Sequence, residues 1–335
     1  MKNEFTEEAV LQSGIFKKML DKYFNNEVEG LNEIKELAEA GKIKKVVIAG
    51  MGSSYYASYT VQSYLTKKRI PCIVLNAFDA ARYMWEVVDS ETLVVGVSQS
   101  GKSGELNDFF KNLGGRTKIV GICNKDESLL NTNADIHLPM FAETEVFFAN
   151  RSFMHSLAIL NIMAYTITGD DMSALKKELY DFNDWLANLN ANYDEICAPI
   201  AQATIGGDMF DVISNGPSIA AGMQAGINFR EGPSVRSNWN MLADYAHDWI
   251  LSVSKGYRVF FFVPKFDEEV AVRMYNRVLE KGGKAIVFTA DHDFEFNEFT
   301  TVVYHPECSD NIASLYQIAL SNFMLAEMLG EGWHR

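Results

Sequence analysis

Basic residues, cysteine, histidine and proline are all scarce in this chain, and each scarcity narrows what it can do. Thirty Lys and Arg stand against 44 Asp and Glu, a formal charge of −14 over 335 residues. Nucleic-acid backbones and anionic membranes are held by clustered cations that displace counterions, so neither is expected as a partner. An anionic ligand must be met by local donors instead. The four cysteines, Cys72, Cys123, Cys197 and Cys308, are far apart and form no Cys-x-x-Cys spacing, which excludes the common zinc and dithiol motifs. They read as reduced core thiols. The six histidines show no metal-ligand spacing, so neither a metal nor a cofactor is expected, and His137, His155, His292 and His305 read as structural. No apolar run reaches the ~20 residues that span a bilayer. The start, Met1-Lys2-Asn3-Glu4-Phe5, lacks the basic and apolar regions of a signal peptide, which predicts a cytoplasmic protein.

What is present is apolar material in a regular order. Hydrophobic residues make up 48% of the chain, enough for substantial cores. Residues 6–40 carry apolar positions at helical spacing and predict two lead-in helices. Lys45-Val46-Val47-Ile48-Ala49-Gly50 then reads as a buried strand, followed by strands near 71–75, 92–97 and 117–122 that alternate with helical segments. That alternation predicts a parallel sheet covered on both faces. Residues 134–150 read as irregular, and a long helical stretch runs from Ser152 past Ile167 and, after a break, on to about Asn192. Strand-like runs resume at 210–216, 258–263 and 284–288. Gly50 to Gly216 and Val97 to Val263 are both 166 positions, and Ile119 to Ile286 is 167. Three strands in one order at one offset indicate an internal duplication.

The halves differ where ligands would bind. After the strand at 92–97 comes Ser98-Gln99-Ser100-Gly101-Lys102-Ser103 and a helix start, whereas the equivalent stretch in the second half is Pro264-Lys265-Phe266-Asp267-Glu268-Glu269. Amide groups at a helix N-terminus, joined by serine hydroxyls, make an anion site of little formal charge. Gly96 to Ser103 also satisfies the G-x-x-x-x-G-K-[ST] pattern of a nucleotide P-loop. That reading needs a metal-binding carboxylate at a neighbouring strand end, where this chain has Gly50, Asn76, Asn124 and Gly216, and it needs Gly96 outside the strand. A plain capped turn is the other alternative. Against it stands Gly52-Ser53-Ser54, a second hydroxyl-rich turn at a strand end in the same half, since such ends form the ligand crevice of open α/β sheets.

Ala49-Gly50-Met51-Gly52-Ser53-Ser54 and Val97-Ser98-Gln99-Ser100-Gly101-Lys102-Ser103 together resemble the sugar isomerase (SIS) family, and Glu143 to Phe153 resembles that family's loop before its central helix. With the duplication, the resemblance covers about residues 10–330 and is to double-SIS proteins, among them the fructosamine 6-phosphate deglycases and the isomerase half of glucosamine-fructose-6-phosphate aminotransferase. It implies an α/β fold of two tandem SIS domains, each a parallel five-stranded sheet flanked by helices in a flavodoxin-like three-layer sandwich. The expected boundaries are 1–42 for the helical lead-in, 43–168 for a phosphate-binding domain, 169–195 for a connecting helix and 196–335 for the second domain with its tail.

The resemblance also assigns roles. Gly52, Ser53, Ser54, Ser98, Gln99, Ser100 and Ser103 would hold a substrate phosphate, and Glu231 would move a proton between C1 and C2 of an open-chain sugar. His247, sixteen positions later, would assist ring opening. The chemistry is sound on general grounds, because proton transfer beside a carbonyl or imine needs a base titrating near working pH and imidazole exchanges protons near neutrality. A surface Glu231 paired with Arg230 or Arg236 and a structural His247 are the plain alternatives. Glu145, Arg151 and His334 are candidates for the sugar pocket. The expected partners are a sugar phosphate and further copies of the chain, as a homodimer or higher homo-oligomer. The implied activity is that of a deglycase or isomerase, with a sugar-phosphate sensor as the non-catalytic alternative. About 45 residues precede the first strand, which argues against a glutamine amidohydrolase domain or a helix-turn-helix domain ahead of it.

Overall fold

The computed structural model describes residues 4–145, 148–264, 267–293 and 295–330. Three lead-in helices replace the two expected: α1 (Glu4–Val10), α2 (Gln12–Phe24) and α3 (Glu29–Glu39). A first alternating series follows, β1 (Lys45–Gly50), α4 (Ser53–Ala57), α5 (Gln62–Lys67), β2 (Cys72–Asn76), α6 (Ala77–Asp79), β3 (Thr92–Val97), α7 (Gly104–Leu113), β4 (Lys118–Cys123), α8 (Leu129–Asn133) and β5 (Ile136–Pro139). Two long helices, α9 (Arg151–Thr168) and α10 (Met172–Thr204), lead to a second series. It consists of β6 (Met209–Ser214), α11 (Ile219–Glu231), β7 (Arg236–Asn240), α12 (Leu242–His247), β8 (Tyr257–Phe262), α13 (Glu268–Glu280), β9 (Lys284–Thr289), β10 (Thr301–Tyr304) and α14 (Asp310–Met328). Helix α10 breaks at Asn192 (φ −128°, ψ 20°), where the apolar pattern fades, and continues beyond it through Pro199.

Each series makes one five-stranded sheet, ordered β2-β1-β3-β4-β5 and β10-β9-β8-β6-β7. Every neighbouring pair is parallel. Renumbered from its own first strand, the second sheet has the same order as the first, as the constant sequence offset requires. The chain divides into two compact units, one formed by Ser13–Glu145 with Ala149–Asn183, the other chiefly by residues 184–330 with α1.

The inner strands are largely apolar because both faces are covered. In the first unit Val47, Val94, Phe109, Phe110 and Ile119 pack into one cluster. In the second, successive residues of β6 point to opposite faces. Phe210 joins Phe229 of α11 and Phe260 on one face, with ring centroids 4.7–5.3 Å apart. Ile213 joins Leu242 and Tyr245 of α12 on the other. Cys72, Cys123 and Cys197 are buried as expected, but Cys308 is only half-buried and is not a core thiol. No described helix is long and apolar enough to cross a membrane.

Candidate functional site

In the first sheet the chain turns outward from β1 to β2 on one side and to β3 on the other, so the strand order reverses between β1 and β3. These two strands pair along their full length, with Gly50 opposite Val97, and the segments that follow them leave the sheet side by side. A crevice at such a reversal is the usual ligand position in an open α/β sheet. A side chain at Gly50 would lie 2.8 Å from the Ser54 carbonyl carbon and the Tyr55 nitrogen, so only glycine lets α4 begin directly over the strand end. The N–H groups of Gly52 and Ser53 point to no protein acceptor among the described residues, while that of Ser54 is bonded to the Met51 carbonyl at 3.1 Å.

The segment after β3 is folded by its own hydroxyls. Ser98 Oγ accepts the Gly101 N–H at 3.2 Å, and Ser100 Oγ accepts that of Lys102 at 3.3 Å. Gly101 has φ +64°, and a Cβ there would fall 2.4 Å from Ser128. The N–H groups of Gln99 and Ser100 have no protein acceptor among the described residues. Ser103 is the N-cap of α7: its Oγ accepts the Leu106 N–H at 3.3 Å and donates to Glu105 Oε2 at 2.9 Å. Its own backbone N–H and the Ser103 hydroxyl hold the Glu105 carboxyl below the usual range. A carboxylate therefore occupies part of the helix terminus that the sequence assigned to phosphate. Gly96 lies inside β3, where a Cβ would meet Phe110 at 2.4 Å, so it cannot open a wrapping loop and the P-loop pattern is coincidental.

Next to the crevice, Asn124 at the end of β4 fastens the loop that leads to α9. Its Oδ1 accepts the Ala142 N–H at 2.8 Å, and its Nδ2 donates to the Glu143 carbonyl. Phe141 and Glu143 in that loop have φ of +51° and +57°, a left-handed backbone that side chains rarely adopt and that this fastening sustains. Glu145 Oε1 accepts the N–H groups of Asn150 and Ser152 at 3.0 and 3.1 Å, so it caps α9. Arg151 is 3% exposed and donates to the Thr144 carbonyl at 2.6 Å. Both candidates for the sugar pocket thus shape this loop. His334 lies outside the described residues.

Glu231 and His247 belong to the second unit. Glu231 ends α11 and is exposed, yet the surrounding protein desolvates its carboxyl enough to raise its pKa, with the Arg230 charge opposing. Arg230 donates instead to the Ser237 carbonyl and hydroxyl at 2.9 and 3.0 Å, so the alternative of a Glu231–Arg230 surface ion pair is not formed. His247 ends α12 and is exposed. Because α11 and α12 pack on opposite faces of the sheet, these residues do not converge within the unit.

The structure adds groups that sequence reasoning passed over. Glu105 is one, signalled only by its place two residues after a helix-capping serine. Asp211 is another: it is fully buried on β6, accepts from Tyr245 Oη at 3.0 Å and from Asn238 Nδ2 at 3.3 Å, and burial raises its pKa. Among the described residues no group of three or more His, Cys, Asp or Glu is placed to hold a metal. A cavity of about 590 Å³ lies at the opposite, N-terminal edge of the first sheet, but its cations are already engaged. Lys118 pairs with Asp135 at 2.9 Å and Arg116 lies over the Trp85 ring.

The SIS domain family matches residues 41–168, the segment that contains the crevice. Glutamine–fructose-6-phosphate aminotransferase [isomerizing] of Methanocaldococcus jannaschii is 28% identical over 270 residues, covering 77% of this chain and 24% of that protein. The chain spans less than half the length of the curated relatives it matches, from 24% to 48%. The C-terminal domain of glucosamine-fructose-6-phosphate aminotransferase from Francisella tularensis superimposes with a TM-score of 0.82 at 20% identity, covering 98% of this chain and 96% of that one. Glucosamine-6-phosphate deaminase from Thermotoga maritima gives 0.73 at 19% identity, over 98% and 95%. These structural likenesses establish the fold.

Proposed function

We propose that the protein is an enzyme of 6-phosphorylated amino sugars or ketosamines that works by proton transfer between C1 and C2. The observation that carries this reading is the pair of hydroxyl-rich, amide-donating segments side by side at the β1–β3 strand reversal of an acidic chain. Ser98, Gln99 and Ser100, with Gly52, Ser53 and Ser54, hold the phosphate. Ser103 contributes once Glu105 is displaced. The second unit is a second SIS domain that has exchanged its anion cradle for carboxylates and supplies Glu231 and His247.

In the deglycase version Glu231 takes a C1 proton from the ketosamine 6-phosphate and a proton is returned at C2. The resulting C1 imine adds water and splits into an aldose 6-phosphate and a free amine. In the isomerase version the same shuttle interconverts ketose and aldose phosphates. The raised pKa of Glu231 suits it to both halves of such a transfer. Its separation from His247 by the thickness of the sheet means that one sugar meets both only if two copies share a site, which fits a homodimer. The same separation favours a sugar-phosphate sensor as the second reading. Fructosamine 6-phosphates, and fructose 6-phosphate with and without ammonia, are the substrates to test, with products followed directly. Glu231→Gln should lower turnover by about 100-fold or more. Binding without turnover in the wild-type protein would establish the sensor instead.

A further inference from the structure

Strand β4 lies between β3 and β5, and Asn124 is the first residue beyond its end. On the β3 side its main chain prolongs the pairing of the strands. The Ser98 N–H is bonded to the Ile122 carbonyl at 3.0 Å and the Asn124 N–H to the Gln99 carbonyl at 3.1 Å, so the segment after β3 stays tied to β4 past both strand ends. In a trans peptide the carbonyl and the following N–H point in opposite directions. With the Gln99 carbonyl turned to Asn124, the Ser100 N–H is turned away from it, and that N–H has no protein acceptor among the described residues. On the β5 side the side chain takes over: Asn124 Oδ1 accepts the Ala142 N–H and Nδ2 donates to the Glu143 carbonyl. Among the described residues these are the only hydrogen bonds made by the main chain of Ala142 and Glu143.

The residues on either side of that pair are anchored elsewhere. Tyr23 Oη donates to the Pro139 carbonyl at 2.9 Å and His155 Nδ1 to the Met140 carbonyl at 2.7 Å, while Thr144 and Glu145 are bonded to the start of α9. Between these anchors lie the left-handed Phe141 and Glu143, a backbone that persists only where its surroundings fix it. The choice of side chain fits the task. An asparagine amide offers an acceptor and a donor on separate atoms, whereas an aspartate would set a carboxylate against the Glu143 carbonyl and an apolar residue would satisfy neither partner. One residue thus joins the amide donors of the β3 segment to the loop that opens α9. We propose that Asn124 is a positioning residue: without touching substrate, it fixes the 142–145 loop against the phosphate cradle, so that the sugar is recognised at that loop and not the phosphate alone. The proposal rests on the phosphosugar reading and deepens it.

The test uses the full chain, with inorganic phosphate and fructose 6-phosphate titrated by calorimetry and hydrogen exchange followed by mass spectrometry. In the wild type, fructose 6-phosphate should bind more tightly than phosphate and slow exchange over 141–145, whereas phosphate should slow it over 98–103 alone. Asn124→Ala should weaken fructose 6-phosphate binding about tenfold or more, as the loss of two hydrogen bonds would, and leave phosphate affinity within about twofold. The exchange response over 141–145 should disappear with it. Retained phosphate binding shows that the variant has folded around an intact cradle. Asn124→Leu, close to asparagine in size, should behave alike, which separates lost hydrogen bonds from lost volume. Equal weakening of both ligands, or unchanged fructose 6-phosphate affinity in both variants, would overturn the proposal and leave the phosphosugar reading standing. A wild-type protein that binds fructose 6-phosphate no better than phosphate would overturn that reading, and the proposal with it.

Discussion

At Gly101 the main chain turns through φ +64° with Ser128 where a side chain would stand, so both space and backbone conformation demand glycine. Gly101→Ala should cost about 2 kcal/mol or more in urea unfolding and weaken sugar-phosphate binding in parallel; an unchanged stability would show that the loop relaxes freely. Glu105 bears on the same loop differently. Its ionised carboxyl sits at the N-terminus of α7, so Glu105→Gln should tighten phosphate binding about two- to fivefold in calorimetry, and weaker binding would mean the carboxylate is a partner rather than a competitor. Asp211 gives a pH signature. Its folded pKa is raised, so the folded state favours the protonated form, and this residue's contribution to stability is lost as pH climbs from about 4 through the raised value. Asp211→Asn should therefore gain on the wild type in unfolding free energy as pH rises from about 4 to 7; a constant difference would show that Asp211 does not titrate there. The serine loops were legible residue by residue because the hydroxyls recur at strand ends. Asp211 was not, since a lone aspartate in an apolar strand says nothing about what covers it.

Elements were legible in proportion to how many neighbours they have. The central strands β1, β3, β4, β6, β8 and β9 were read from their apolar runs, because each is paired on both sides. The strands that escaped, β5, β7 and β10, are all at sheet edges. Arg236-Ser237-Asn238-Trp239-Asn240 shows why: an edge strand has one partner and one covered side, so polar residues suffice. Among helices, α12 has only six residues and is held by Tyr245, whose hydroxyl donates to Asp211 from within the core. Tyr245→Phe should destabilise the protein by about 1–3 kcal/mol, because it strips a donor from a buried carboxyl. It should also lower turnover if His247 acts from the end of that helix. A loss of stability with full activity would detach α12 from the chemistry.

For the molecule as a whole, the duplication was legible from offsets alone, and the matching strand orders follow from it. The placement of Glu231 and His247 on opposite faces makes a prediction about copies of the chain. If two chains combine one residue each, then co-refolded Glu231→Gln and His247→Asn proteins, each inactive alone, should recover about a quarter of wild-type turnover, since half of random dimers are mixed and one of their two sites is intact. No recovery would confine each site to one chain. The discontinuous second unit has one more consequence. Helix α1 packs against α14, which lies about 300 residues later in the chain. Residues 13–183 can therefore complete their sheet during synthesis, while α1, made before them, completes its packing only with α14, made after them. The order in which this protein is made is thus not the order in which it closes.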